Sequence, residues 1–260
     1  MSANQYDRNL MEREIDRRWR STEDVMARYT KDHKEATRRR IVAAAGPRFK
    51  ADGFDGSGVA TLMADAGLTN GAFYAHFDSK DDLIAAVVAD QLASQRATLR
   101  AVAADRAGVA QFVRGYLAPE HIGDRAEGCP SAALLDEIGR SAGSTRAAYT
   151  EGVSAIIEDI SAVLAPNDPE SVRGRVAVAM SLMFGTVQLA RALTDAAMAD
   201  RLLAESVPTV LEILGLAYAG SAAPSAGGKP KAVTRSGSPN AVIAEMPSAP
   251  AVRTTMPYGR

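Results

Sequence analysis

From Thr37 to Ala219 the apolar residues recur every three or four positions, and no window of four to eight residues alternates apolar and polar between turn signals. That period is the face of an amphipathic helix, so an all-α fold is expected and a sheet is not. Alanine and leucine, which favour helix, carry much of the 47% hydrophobic fraction. Helices are predicted over Thr37 to Ala51, Ser57 to Ala66, Thr69 to Phe77 and Lys80 to Ala103. Further ones are expected over Val109 to Leu117, Pro130 to Arg140, Thr145 to Leu164, Pro169 to Ala197 and Asp200 to Ala219. Gly53 and Gly67 stand where helices should stop, Ser57 can cap the second helix, and Pro130 and Pro169 suit first turns.

The net charge of -1 conceals a strong asymmetry. Residues 26 to 52 hold eight basic and three acidic side chains, with Arg38, Arg39 and Arg40 in a row, whereas residues 53 to 220 hold twelve and twenty-one. A basic segment ahead of an acidic body suits a chain that binds phosphate at one end and must not stick to it elsewhere.

Several function classes are excluded. No run of 18 uncharged apolar residues offers a membrane span, and the first 25 residues lack the apolar stretch of an export signal, so a cytoplasmic, non-membrane protein is expected. Cys129 is the single cysteine, and His33, His76 and His121 lack clustered carboxylates, so neither a disulfide framework nor a metal site is expected. No Gly-x-Ser-x-Gly elbow, phosphate loop or His-Glu-x-x-His pairing is present, and the run Gly53 to Gly58 has the wrong spacing for a dinucleotide loop. The expectation is a protein that is not an enzyme and uses no cofactor.

Four segments are expected: an N-terminal extension over residues 1–33, a helix-turn-helix domain over 34–82, a larger helical domain over 83–219 and a disordered tail over 220–260. Residues 1 to 25 alternate charges around Leu10, Ile15 and Trp19, and the change of character at Met26 leaves a second start open. From Ser221 onward the chain has six of the twelve prolines and Tyr258 as its only aromatic residue, a composition that cannot build a core.

The segment Ala66-Gly67-Leu68-Thr69 between two short helices reads as a helix-turn-helix, with a glycine at the sharp turn. Leu62, Leu68, Phe73 and Phe77 would fill a small core against Ile41, Ala45 and Phe49. The same spacing turns Thr69, Asn70, Ala72, Tyr74, Ala75 and His76 mostly outward, a face of small and hydrogen-bonding groups that fits a major groove. Arg38, Tyr74, His76 and Lys80 would lie in range of the phosphate backbone.

The run Gly53-Phe54-Asp55-Gly56-Ser57-Gly58-Val59, followed by Ala66 to Leu83 with its Gly71-Ala72-Phe73-Tyr74-Ala75-His76-Phe77-Asp78-Ser79-Lys80 core, resembles the DNA-binding domain of the TetR/AcrR transcriptional regulators. The resemblance covers about residues 34 to 85. It implies an all-helical homodimer, usually a repressor, that binds a double-stranded palindromic operator and whose larger domain takes a small-molecule effector and releases the DNA. Position by position, it implies that Asn70, Ala72 and Ala75 lie nearest the bases. Thr69, Tyr74, His76 and Lys80 would hold phosphates, and Ser57 would set a helix N-terminus at the backbone. Met63 stands where the family usually has alanine and Asn70 where lysine is common, which bears on the operator sequence rather than on the docking mode.

In the larger domain, Gly128 to Leu134 looks like one subgroup of that family. Val176, Met180, Met183, Phe184, Val187, Leu189 and Leu193 form one apolar stripe, and Leu202, Leu203, Val207, Val210, Leu211 and Leu214 another, resembling the helix pair of the family's dimer interface. Phe112, Tyr116, Leu134, Ile138, Tyr149, Met180 and Phe184 are candidate pocket walls, with core packing as the competing reading. Cys129, just before Pro130 at a helix start, is a candidate thiol sensor, against a reading as a packed small side chain. A DNA-binding architectural or constitutive factor without an effector is the alternative function.

Overall fold

The computed structural model describes residues 31–123, 125–126 and 128–216. The expectations for the N-terminal extension up to residue 30, the start at Met26, the tail and the last residues of the final helix lie outside these residues.

Every regular element among the described residues is helical. Helix α1 runs through residues 31–56, α2 is Val59–Asp65, and a single 3-10 segment covers Asn70–Ala75. Then follow α3 (Lys80–Val102), α4 (Arg106–Tyr116), α5 (Pro119–Gly123), α6 (Pro130–Arg140), α7 (Gly143–Leu164), α8 (Glu170–Ala192) and α9 (Ala196–Ile213). No described helix is long and apolar enough to cross a membrane.

Local chemistry accounts for most boundaries. The Ser79, Asp105 and Asp195 side chains accept the backbone N–H of Asp82, Gly108 and Met198, fixing the starts of α3, α4 and α9. Pro130 occupies the first turn of α6, where its missing N–H leaves nothing unsatisfied. Several boundary expectations fail: the helix expected over Pro169 to Ala197 ends at Ala192, and the next starts at Ala196 rather than Asp200. Ser57 does not cap α2: the cap position is Gly58, and the buried Ser57 hydroxyl instead donates to the Gly53 carbonyl at 3.1 Å. Gly53 does not stop α1, which continues to residue 56 although Gly53 has a φ of 78°.

The body is assembled around α3 packed on α7 and α8 packed on α9, with α7 also against α8. Gly152 lets α7 approach α3 closely, since a Cβ there would sit 2.6 Å from the Leu92 Cδ1. Asp159 on α7 joins the same pair by accepting from the Arg96 guanidinium at 2.6 and 2.9 Å and from Arg100 at 2.8 and 3.0 Å. Arg96 foremost, and Arg100 with it, holds the Asp159 carboxyl below its usual range. The stripes on α8 and α9 face each other, burying Val176, Met183 and Val187 with Leu203, Val210 and Leu211.

Candidate functional site

The head is a small aromatic core carrying an exposed turn. Ile41, Ala45, Phe49, Leu62, Phe73 and Phe77 are buried as the spacing predicts, Met63 joins them, and Leu68 is half-buried. Arg48 on α1 ties down α2, donating to both carboxylate oxygens of Asp65 at 2.8 and 3.1 Å. After α2 the chain reverses at Gly67, whose φ of 66° is left-handed backbone, and the Leu68 N–H donates to the Met63 carbonyl at 2.8 Å. This turn delivers the Asn70–Ala75 segment to the surface as a tight 3-10 turn rather than an α-helix.

Phe73 and Phe77 stack at 5.7 Å between centroids and anchor the inner side of that segment. Its outer side presents Thr69, Asn70, Tyr74 and Ala75, while Ala72 and His76 are half-buried. Tyr74 is 73% exposed, which nothing in the packing of the head requires of an aromatic ring. Lys80 is half-buried at the first turn of α3, and Ser57 lies beneath the surface.

The Arg38 guanidinium sits 4.4 Å from the centroid of the Phe77 ring, which brings the basic face of α1 to the same place. Burial first, then Lys34, Arg38 and His33, hold His76 below the ordinary histidine value. Lys34 and His33 were not singled out from the sequence. The signal was there: Lys34 and Arg38 are four residues apart, hence on one helix face.

In the body, a cavity of about 280 Å³ lies between α6, α7 and α8. Of the seven candidate wall residues, Tyr149, Met180 and Phe184 line it. Tyr116, Leu134 and Ile138 are instead core residues, and the half-buried Phe112 packs against Tyr116 at 6.0 Å. The remaining walls, among them Leu135, Val153, Ser181 and Gln188, were missed because periodicity places a residue on a helix face without saying which faces leave a gap. The Tyr149 hydroxyl donates to the Ser131 Oγ at 3.0 Å, and burial raises its pKa.

Cys129 stands at the cap position of α6 but is only 4% exposed, with the Gln95 Nε2 donating to its Sγ at 3.2 Å. Nearby, burial above all and then Cys129 push the Tyr116 phenol well above its ordinary pKa. The thiol is thus packed inside the body rather than presented at its surface. Among the described residues no group of acidic, histidine and cysteine side chains is placed to hold a metal.

Head and body are joined through α6. The buried Lys50 Nζ donates to the Gly128 carbonyl at 3.0 Å, and the Phe54 N–H donates to the Glu137 carboxylate at 2.6 Å. Both contacts link the end of α1 to the segment that also bears Ser131 and Leu135.

Comparison with known proteins agrees with this arrangement. Residues 41–87 match the family described as bacterial regulatory proteins, tetR family. The fold is similar to that of E. coli NemR in its reduced form, at 20% identity and a TM-score of 0.58, covering 68% of this chain and 96% of that one. It is also similar to a TetR transcriptional regulator from Chloroflexus aurantiacus, at 19% identity and a TM-score of 0.56, covering 72% and 98%. A TetR-family regulator from Agrobacterium tumefaciens matches at 18% identity and a TM-score of 0.56, covering 67% and 97%. No curated protein matches the sequence.

Proposed function

We propose that the chain is a DNA-binding regulator of the tetR type, the family whose model matches residues 41–87, and that it is a homodimeric repressor released from a palindromic operator by a small molecule. The observation that carries this reading is the exposed face of Thr69, Asn70, Tyr74 and Ala75 beside the Lys34 and Arg38 side of α1. Asn70, Ala72 and Ala75 meet base edges. Thr69, Tyr74, His76 and Lys80 take phosphates with Arg38. The buried Ser57 hydroxyl is already bonded to the Gly53 carbonyl and is not offered to the phosphate backbone. Catalysis has no role in this account.

Two heads must be read together for useful affinity, with half-sites about one helical turn apart. The dimer surface proposed is the outer face of α8. From Val176 to Ala190 this helix has no charged residue, and Val178 and Leu189 remain 58% and 50% exposed on the same side. An effector in the α6, α7 and α8 cavity displaces α6, and α6 carries the shift to α1 through Glu137 and Gly128. The head spans residues 34–82 and the effector and dimer domain follows from 83. Since Cys129 is buried, a sensing role for it would require the start of α6 to open first.

The test is capture of genomic fragments by the purified protein, with its mass in solution measured alongside. A two-fold symmetric motif bound by a dimer supports the reading. Binding without a motif would favour an architectural factor, and a monomer that binds no DNA would refute it.

A further inference from the structure

The exposed turn of the head carries a chemistry that distinguishes base pairs. From Thr69 to Ser79 the chain has no arginine or lysine. Guanine is most often read by one of those two side chains reaching its O6 and N7 acceptors, so the turn lacks the usual guanine reader. The cations of the head stand elsewhere: Arg38 lies over the Phe77 ring at 4.4 Å, and Lys80 is half-buried at the start of α3.

What the turn offers instead is an amide. Asn70 opens the segment, is exposed, and has its side chain engaged by no hydrogen bond among the described residues. Its amide presents an acceptor oxygen beside a donor nitrogen. In the major groove adenine answers with the N6 donor and the N7 acceptor, so the pair is bidentate. Guanine and thymine offer only acceptors there and cytosine only a donor, and each leaves half of the amide unpaired. Gly71, next in the chain, keeps the surface low: a Cβ built there meets nothing of the protein within 4 Å, so packing does not require the glycine and its missing side chain leaves room for what docks. Ala72 and Ala75, three residues apart, eclipse one another in a 3-10 turn and set two methyl groups on one line, Ala75 exposed and Ala72 half-buried. Such a methyl surface suits the methyl group of thymine.

We infer that Asn70 selects adenine and that Ala75, with Ala72 behind it, selects the thymine methyl, so that the base pairs under this turn are A·T rather than G·C. The inference rests on the DNA-docking role proposed above for the head and adds which bases that face takes. Thr69 adds no discrimination, because a hydroxyl both donates and accepts.

The test enriches duplexes from a random-sequence library with the full chain, then measures binding of the enriched duplex and its base analogues at fixed salt. The enriched half-site should hold adenine opposite Asn70 and thymine opposite Ala75. Replacing that adenine by 7-deazaadenine, which lacks the N7 acceptor, should weaken binding about tenfold, and replacing the thymine by uracil, which lacks the methyl group, about threefold. Asn70→Ala should abolish the first effect and keep the second, and Asn70→Arg should enrich guanine at the same position. Both variants should melt with the parent, since Asn70 is exposed and bonded to nothing in the head. Enrichment of G·C pairs across the half-site, a 7-deazaadenine effect that survives Asn70→Ala, or a motif that Asn70→Arg leaves unchanged overturns the inference while DNA binding stands. A library from which no duplex is enriched refutes the regulatory reading and this inference with it.

Discussion

The Glu137 carboxylate accepts the backbone N–H of Phe54 at 2.6 Å across 83 residues of sequence, binding the end of α1 to the middle of α6. Its oxygens also sit against Gly53, where a Cβ would meet the nearer one at 2.8 Å. A charged acceptor on a backbone donor is worth about 1.5 to 3 kcal/mol when well placed. A contact of that strength is enough to fix the end of α1 against α6.

Replacing Glu137 by Ala should speed amide hydrogen exchange across residues 50–57 while leaving α8 and α9 protected. Operator affinity should become less sensitive to effector rather than vanish. If exchange at residues 50–57 is unchanged, α6 does not hold α1 in the way described.

Tyr74→Ala should weaken binding to every DNA sequence alike, by roughly 1 kcal/mol for one lost phosphate contact, with little effect on thermal stability because the ring is 73% exposed. Asn70→Ala should instead change which sequences are preferred. Binding measured on a small panel of operator variants separates the two.

His76 makes the head sensitive to acid. Its folded pKa lies below the ordinary 6.5, so the unfolded chain takes up that proton first as pH falls. The stability it contributes is present above 6.5 and is lost through the window below it. Melts of the parent and of His76→Gln should diverge from neutral pH down into that window, the variant showing the flatter profile. Parallel profiles would contradict the environment described for the imidazole.

The α3 and α7 pair should respond to two unrelated changes. Asp159→Asn breaks the contacts to Arg96 and Arg100 and should cost about 1 to 2 kcal/mol, discounted because both arginines are partly in water. Gly152→Val should cost at least as much, because a side chain there collides with Leu92 and the helices must separate. Urea unfolding of each variant provides the values.

The helical class, the turn at Gly67 and the inner and outer sides of the head were legible because each depends on neighbours a few residues apart. Phe73 and Phe77 must point inward if Leu62 does, and Tyr74 is then left outside. Ser57 misled because a serine before an apolar run reads as a cap, and only the folded chain shows its hydroxyl turned back to Gly53. The cavity was half legible: Tyr149, Met180 and Phe184 lie on the right helices, but whether an apolar position meets a neighbour or a void depends on how three helices cross. Glu137 and Lys50 carried no local signal at all, since their partners lie about eighty residues away.

The central claim, that this head docks on DNA through its exposed turn and basic α1 face, is tested most directly by the salt dependence of operator affinity for the parent and for Lys34→Ala with Arg38→Ala. The account predicts a steep linear fall of log K with log salt, about 0.9 for each phosphate neutralised, and a slope shallower by about two in the double variant. A slope near zero, or one that the double variant leaves unchanged, would contradict it.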